Sequence, residues 1–440
     1  MFRAYAPRGL KEKHDFSVTY SHDGRSGALY TAAAVVSNRF TDLTVSHEEM
    51  SFCSLDCDFE KPVRITIRPS SPKSRADVRP YSLKLDYQFD GQELTLVLDK
   101  PVKFSVEFDG DMYHNLFVFA NEPVSVPQGA DVLTFGPGTY DVGELKLSDG
   151  QTLYLDGDAV LFGHVLAAGK NITVTGRGIL SGEKLNHDDT KPRVQLLRAA
   201  ECKDFHADGI TLIDAPGWTF VTHRCDGVTA RNLKQICFNV NSDGFDICGS
   251  RNVLIENCFV RNWDDSISLK SFGGDNLNIV CRDTVMWADR AHNMLVGPES
   301  RPGEHNLFKD ILFENIDVLE HKEYSEEFQG VMAIFCADGA DFENITWRKI
   351  RIERMTYGRV FDFRYVTLFA KSYGYSCKNV VMEDISCLAP VLFRSRILGL
   401  DGEHTFDGVA VKNMSIHSCP VLEDDPTVEV NEFTSGVSFA

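Results

Sequence analysis

Gly227-Val228-Thr229-Ala230, Asn252-Val253-Leu254-Ile255 and Asn276-Leu277-Asn278-Ile279 are three copies of one phrase: a Gly or Asn, then a short strand of β-branched and aliphatic residues. The same phrase occurs upstream as Asn171-Ile172-Thr173-Val174. It returns downstream as Asp310-Ile311-Leu312-Phe313, Asn344-Ile345-Thr346-Trp347, Asn379-Val380-Val381-Met382 and Gly408-Val409-Ala410-Val411. Val228, Val253 and Leu277 follow one another at intervals of 25 and 24 (228 to 253, 253 to 277). Later intervals lengthen to 34 and 35 (311 to 345, 345 to 380), as insertions at a turn would produce. A period in the twenties with one apolar strand per unit marks a solenoid. No 3.6-residue periodicity separates the strands, which disfavours leucine-rich and βαβ repeats. The expectation is a parallel β-helix over residues 126–440, its coils burying one another and asparagines stacking at the corners.

Outward from the repeat, residues 1–125 change character. Val63-Arg64-Ile65-Thr66-Ile67-Arg68, Leu94-Thr95-Leu96-Val97-Leu98 and Val102-Lys103-Phe104-Ser105-Val106 alternate, and Asp90-Gly91 and Asp109-Gly110 supply tight turns. These are antiparallel strands, which a β-sandwich buries most naturally. The all-β chain is therefore expected to have two domains, the sandwich covering the open first coil of the solenoid.

Bulk chemistry narrows the partners. A net charge of −19 over 440 residues repels nucleic acid and anionic membrane surfaces. No apolar stretch has the length of a membrane span, and the charged segment Met1 to His14 has no signal-peptide core, so a cytoplasmic location is expected. The 12 cysteines contain no Cys-x-x-Cys pair, and no metal or other cofactor is expected. Cys237, Cys258 and Cys281, at intervals of 21 and 23 (237 to 258, 258 to 281), read as one buried position on successive coils.

One cluster stands apart. Asn241-Ser242-Asp243-Gly244-Phe245-Asp246-Ile247 is followed by Trp263-Asp264-Asp265-Ser266-Ile267-Ser268-Leu269-Lys270. The step from Asp243 to Asp264 is close to one coil. Such an offset sets side chains next to each other at roughly the 5 Å spacing of neighbouring strands, so Asp243, Asp264 and Asp265 should meet. Crowded, partly buried carboxylates raise one another's pKa, and at least one should keep its proton near neutrality. A protonated acid beside ionised carboxylates is what glycosidic cleavage requires: one protonates the leaving oxygen while another activates water. The same residues also read as ordinary turn formers or as a calcium site.

These segments resemble a known family. Asn241 to Ile247 is similar to the Asn-Thr-Asp-Gly-x-Asp motif of the polygalacturonase family, glycoside hydrolase family 28. Asp264 to Lys270 resembles its Asp-Asp-Cys-Ile-Ala-Ile-Lys motif, and Ala215-Pro216-Gly217-Trp218-Thr219 its Ser-Pro-x-Trp segment. Ala291-His292-Asn293-Met294-Leu295-Val296-Gly297 stands where the family has Gly-His-Gly-x-Ser-Ile-Gly. The resemblance implies a right-handed, pectin-lyase-like β-helix and an inverting hydrolase of a glycan. It makes Asp264 the general acid and Asp243 and Asp265 the activators of water, with His292 assisting. Two departures matter. Ala291 and Asn293 replace the glycines that flank the histidine, and Ala333-Ile334-Phe335 stands in place of the family's Arg-Ile-Lys uronate grip.

A carboxylated sugar needs Arg and Lys, so a neutral or differently charged glycan is expected, with a uronic-acid glycan as the alternative. The related dextranase and isopullulanase family (family 49) shares the β-helix and an N-terminal sandwich. The text His114 to Pro123 followed by Phe135-Gly136-Pro137-Gly138 resembles its domain junction and equally that of bacterial polygalacturonase-like proteins. A lyase or epimerase, and a non-catalytic carbohydrate-binding protein, are the remaining classes.

Around the aspartates, Asn241, Trp218, Trp263, Lys270, Glu299 and Arg364 are candidate substrate-binding residues, with Arg290 and His305 as further subsite candidates. Tryptophan faces stack on sugar rings, although either tryptophan would serve equally as core. Oligomeric state and sugar identity are not encoded in any of these patterns.

Overall fold

The structure, a computed structural model, describes residues 1–38, 46–188, 190–301 and 304–440. Alternation in the sequence up to Asn121 forms two sheets. Arg25–Leu29, Phe16–His22, Val63–Pro69, Leu94–Leu98 and Tyr87–Phe89 make one, all antiparallel. Phe2–Ala4, His47–Cys57, Leu116–Asn121, Val102–Phe108 and Ala76–Arg79 make the other, with Ala32–Ser37 paired to His47–Cys57. Val18, Ile65, Ile67, Leu96, Phe104, Val106, Leu116 and Val118 fill the space between them.

From Val132 onward the chain winds as a right-handed parallel β-helix, strand pairing being parallel throughout until the last turns. The middle coils carry three strands each, as in Phe245–Cys248, Arg251–Glu256 and Phe259–Asn262, and later coils fuse two of them into one long strand such as Leu307–Glu320 or Asp341–Ile352. Side chains that point inward stack coil on coil: Val228, Val253, Ile279, Ile311, Ile345, Val380 and Val409 are in register. The residue just before each of them takes a left-handed conformation: Gly227, Asn252, Asn278, Asp310, Asn344, Asn379 and Gly408. Asn, Asp and Gly tolerate that conformation best, which is why they punctuate the sequence. The asparagines also bond from coil to coil: Asn278 donates to Asn252 at 2.8 Å and Asn379 to Asn344 at 3.2 Å.

The register adjusts the sequence expectations at two points. Val253 pairs with Ile279, not Leu277, so this coil is slightly longer than the repeat of phrases suggests. Cys237, Cys258 and Cys281 are buried free thiols but occupy different positions of the coil: Cys281 lies beside Ile255, while Cys258 precedes the strand that pairs with Lys234–Ile236. Their spacing is shorter than a coil, so the intervals mixed three corners.

The sandwich also lies elsewhere than over the first coil. It packs along the flank of the solenoid. Ala34, Met50, Phe52, Phe117 and Phe119 meet Phe162, Ile179, Ile213, Ile236, Phe259, Trp287 and Leu319, one side of coil after coil. The strand Leu116–Asn121 is buried on both faces, because Leu116 and Val118 serve the sandwich and Phe117 and Phe119 the flank. Buried arginines cross the seam. Arg261 bonds Asp289 as well as Asn115 Oδ1 and Met112 O, and Arg79 bonds Glu107, Glu353 and Leu319 O. Among the described residues the helical content is one short turn, Tyr81–Leu83, and no helix is long and apolar enough to cross a membrane.

Candidate active site

The flank that carries the sandwich and the sheet containing Phe220–His223, Phe245–Cys248, Ile267–Ser271 and Met294–Ser300 are joined by one turn per coil. The aspartates sit on these turns. Gly244 N donates to Asp265 O, and Ser266 N to His292 O. Those bonds align Asp243, Asp265 and His292 on three successive coils. Asp265 therefore lies beside Asp243, and Asp264 sits one position earlier. All three carboxylates nonetheless converge, each offering an oxygen within 4.8 Å of the others. Such a set also suits a hard cation, and His22, Cys57 and Asp58 form a second group of that kind. At the aspartates a protein cation already stands in place. The buried Lys270 ammonium reaches Asp243 at 3.1 Å, Asp246 at 2.8 Å and Glu299 at 2.8 Å, and lies 3.8 Å above the Trp218 ring.

Burial sets the protonation of this group. It pushes the Asp243 carboxyl up to about 7, against the pull of Lys270 and with the help of the Asp265 and Glu299 charges. Burial, with the neighbouring Asp243 and Asp265 carboxylates, holds Asp264 well above the usual carboxylate range. Asp246, fully enclosed, is raised in the same way by burial and by Asp243. The ammonium of Lys270 is held well above its ordinary value, because three carboxylates outweigh its own burial. Groups coupled this closely give up protons as a set.

A cleft of about 880 Å³ opens over the cluster, lined by Asp243, Asp264, Asp265, Asn241, Trp218, Trp263, Lys270 and Glu299. Most of the expected site residues thus share one cavity. Asn241, itself in a left-handed conformation, donates to Asp264 Oδ2 at 3.4 Å and accepts from Arg193 at 2.9 Å.

His292 is placed differently from a cleft residue. It is fully buried behind Asp265, to which both its Nδ1 (2.7 Å) and its backbone N–H (2.9 Å) are bonded. Its ring abuts Phe328 and Phe335 edge-on. Ala291 keeps the backbone that a glycine would favour, with φ of 63°. Arg364 is also outside the cleft lining: its guanidinium is held by Asp362, a buried carboxylate that needs the counter-charge, and by Glu327 O. His305 pairs with Asp341 and lies away from the cleft lining as well.

Arg290, a subsite candidate from the sequence, also lines the cleft, whereas its other lining residues carry no mark in the sequence. Lys191 and Arg193 line one end, Glu323 faces Arg290 at 3.6 Å, and Phe328, Leu368 and Phe369 line the other. All but Arg290 sit on long loops outside the repeat, where no periodicity or motif distinguishes them. Ala333 and Phe335 face the same side as Leu295, and Phe328 stacks on Phe335 at 4.9 Å. An apolar patch therefore stands where Ala333-Ile334-Phe335 replaces charged residues.

The family model for glycosyl hydrolases family 28 matches residues 125–438, most of the chain. The chain belongs to that family. A probable polygalacturonase of Arabidopsis thaliana is 24% identical over 151 residues, 33% of this chain and 32% of the relative. The probable exopolygalacturonase B of Emericella nidulans is 24% identical over 248 residues, 49% and 53% of the two chains. The matched stretch thus spans about a third to a half of the length of these relatives. Among solved structures, Dex49A from Penicillium minioluteum superposes over 98% of this chain and 95% of its own, with a TM-score of 0.71 at 14% identity. The family 28 exopolygalacturonase of Yersinia enterocolitica covers 85% and 96%, with a TM-score of 0.50 at 12% identity. These structural likenesses show the shared fold.

Proposed function

We propose that this family 28 protein is an inverting glycoside hydrolase, and that the sugar beside Phe328 carries no carboxylate. The observation that carries the proposal is the convergence of Asp243, Asp264 and Asp265 on the floor of one cleft. Asp264, held protonated, gives its proton to the leaving glycosidic oxygen. Asp243 and Asp265 flank the position of the attacking water. Lys270 keeps negative charge on Asp243, and His292 fixes Asp265, acting as a positioning residue without touching substrate. General acid and base steps of this kind each contribute about 10² to 10⁴ in rate.

The separation of the carboxylates is shorter than the roughly 6.5–9.5 Å of a common inverting pair. Support for inversion comes from the presence of three carboxylates, two to hold water and one to donate, and from the match to family 28. The uncharged sugar is supported by Phe328, an apolar wall of the cleft that covers the buried Leu295, Ala333 and Phe335. A second reading, a uronate glycan, is favoured by Lys191 and Arg193 at the opposite end of the cleft. Arg193, however, already bonds Pro216 O, Val240 O and Asn241.

The test is to incubate the protein with neutral oligosaccharides and oligogalacturonates and follow the first-formed product by proton NMR. The expected product is a free reducing end of inverted configuration, formed from a neutral glycan without the absorbance of an unsaturated uronide. A first product of retained configuration would overturn inversion. Faster cleavage of oligogalacturonate than of every neutral probe would overturn the uncharged-sugar assignment.

A further inference from the structure

Phe369 combines two features that rarely coincide. Its backbone is in the left-handed region, with φ of 56°, and its side chain is 65% exposed. A bulky residue in that conformation is a true outlier, and holding it there costs free energy that burial normally offsets. Here the ring gains little burial: its partner is Phe328, met edge-on at 5.1 Å. Leu368, next to it, is 39% exposed. The loop that presents them is nevertheless firmly built. Lys371 N and Ser372 N donate to Asp338 Oδ1, and Asp338 N and Gly339 N donate back to Ser372 O and Tyr373 O. Both apolar side chains line the same cleft as the catalytic carboxylates. The cleft's volume, about 880 Å³, lies near the top of the roughly 300–1,000 Å³ usual for a ligand site, which leaves room for more than one sugar ring.

We propose that Leu368 and Phe369 form a stacking site for a pyranose ring of the substrate that is remote from the scissile bond. The occupant is fixed by continuity: the ring of Phe369 and the edge of Phe328 extend the wall of the cleft that ends on Asp264 and Asp265. The apolar face of a sugar ring is the ligand chemistry that matches an exposed aromatic in such a place. Strained backbone of this kind clusters at ligand clamps and active sites. The assignment rests on the glycan reading of the cleft, and a binding measurement tests it separately from hydrolysis.

The experiment uses the full chain with Asp264→Asn to prevent turnover, with and without Phe369→Ala. Each protein is titrated calorimetrically with malto-, isomalto- and nigero-oligosaccharides and with oligogalacturonates, from dimer to hexamer. Removing the apolar face that a bound ring would cover should weaken binding of the longest bound oligomer by about tenfold, while leaving the shortest unchanged. Phe369→Trp should restore affinity, and Phe369→Gly, which relieves the backbone, should weaken binding without lowering the melting temperature. Affinities that Phe369→Ala leaves unchanged at every length overturn the stacking site and leave the hydrolytic reading standing. Binding that follows the expected pattern, with no hydrolysis by the parent protein, does the reverse. A parent dimer that becomes monomeric in Phe369→Ala, with sugar binding unchanged, assigns the patch to a second copy and also overturns the proposal. Absence of binding by every probe counts against both.

Discussion

Replacing Asp264 by Asn is expected to lower turnover by at least about 10²-fold with the fold intact. Asn keeps the shape of Asp264 and can still face the Asn241 amide, but it has no acidic proton to give. The leaving oxygen must then depart as an alkoxide or take its proton from solvent. Steady-state kinetics on a hydrolysed oligosaccharide checks the rate, and thermal unfolding checks the fold. Activity like that of the parent would remove Asp264 from the mechanism. The same substitution has a stability signature of opposite sign. Burial and the carboxylates of Asp243 and Asp265 raise the folded-state pKa of Asp264, so its neutral form is the one the fold prefers. Stability linked to such a group is complete below the unfolded pKa and is lost as pH rises through the folded value. The Asn variant escapes that loss. Its melting temperature should equal or exceed that of the parent, and the gap should widen from pH 5 to pH 8.

Lys270→Ala should have the largest effect on stability, roughly 3–5 kcal/mol, the usual consequence of removing one partner from a buried ion pair. The ammonium is the common counter-charge of Asp243, Asp246 and Glu299, at 2.8 to 3.1 Å. The first two are buried, so neither can turn to water for compensation. Without it they must take up protons or repel one another. The deficit should therefore be smaller at pH 5, where burial already favours neutral carboxyls, and larger at pH 8. Denaturant midpoints at the two pH values measure it. Turnover should fall as well, because a protonated Asp243 cannot accept a proton from water. A variant as stable as the parent at pH 8 would show that the three carboxylates do not depend on this cation.

Much of this architecture can be read from the sequence because the decisive interactions are local or repeat with the coil. The left-handed residues ahead of Val253, Ile345 and Val380 announce each coil, and Asn, Asp and Gly are the residues that such a corner selects. The aspartates are legible for the same reason, since an offset near one coil is enough to bring Asp243 to Asp264 and Asp265. Finer register is less legible. Coil length varies from one turn to the next: the steps from Asp243 to Asp265, from Val228 to Val253 and from Val253 to Ile279 all differ. Intervals alone therefore neither assign Cys237, Cys258 and Cys281 to their corners nor pair Asp243 with Asp265.

The flank position of the sandwich had a signal of its own. Leu116-Phe117-Val118-Phe119-Ala120 is a continuous apolar run, which in a sheet means burial on both faces. One face belongs to the sandwich core, and the other needed a partner that an end cap would not supply. His292 shows the limit of a motif: it identifies a residue at the site but not that the ring lies behind Asp265. Arg193, Phe328 and Phe369 sit on loops whose conformation depends on contacts distant in sequence, such as those of Asp338 with the Phe369 loop. No local pattern encodes those.

The central claim is that crowding and burial keep at least one of the three aspartates protonated near neutral pH. Carbon-13 NMR titration of aspartate carboxyls in the labelled protein tests it most directly and requires no substrate. A buried carboxyl signal is expected that still titrates at about pH 7 or above and that changes in Asp243→Asn and Asp264→Asn. A spectrum in which every aspartate is fully ionised by pH 5 would contradict it.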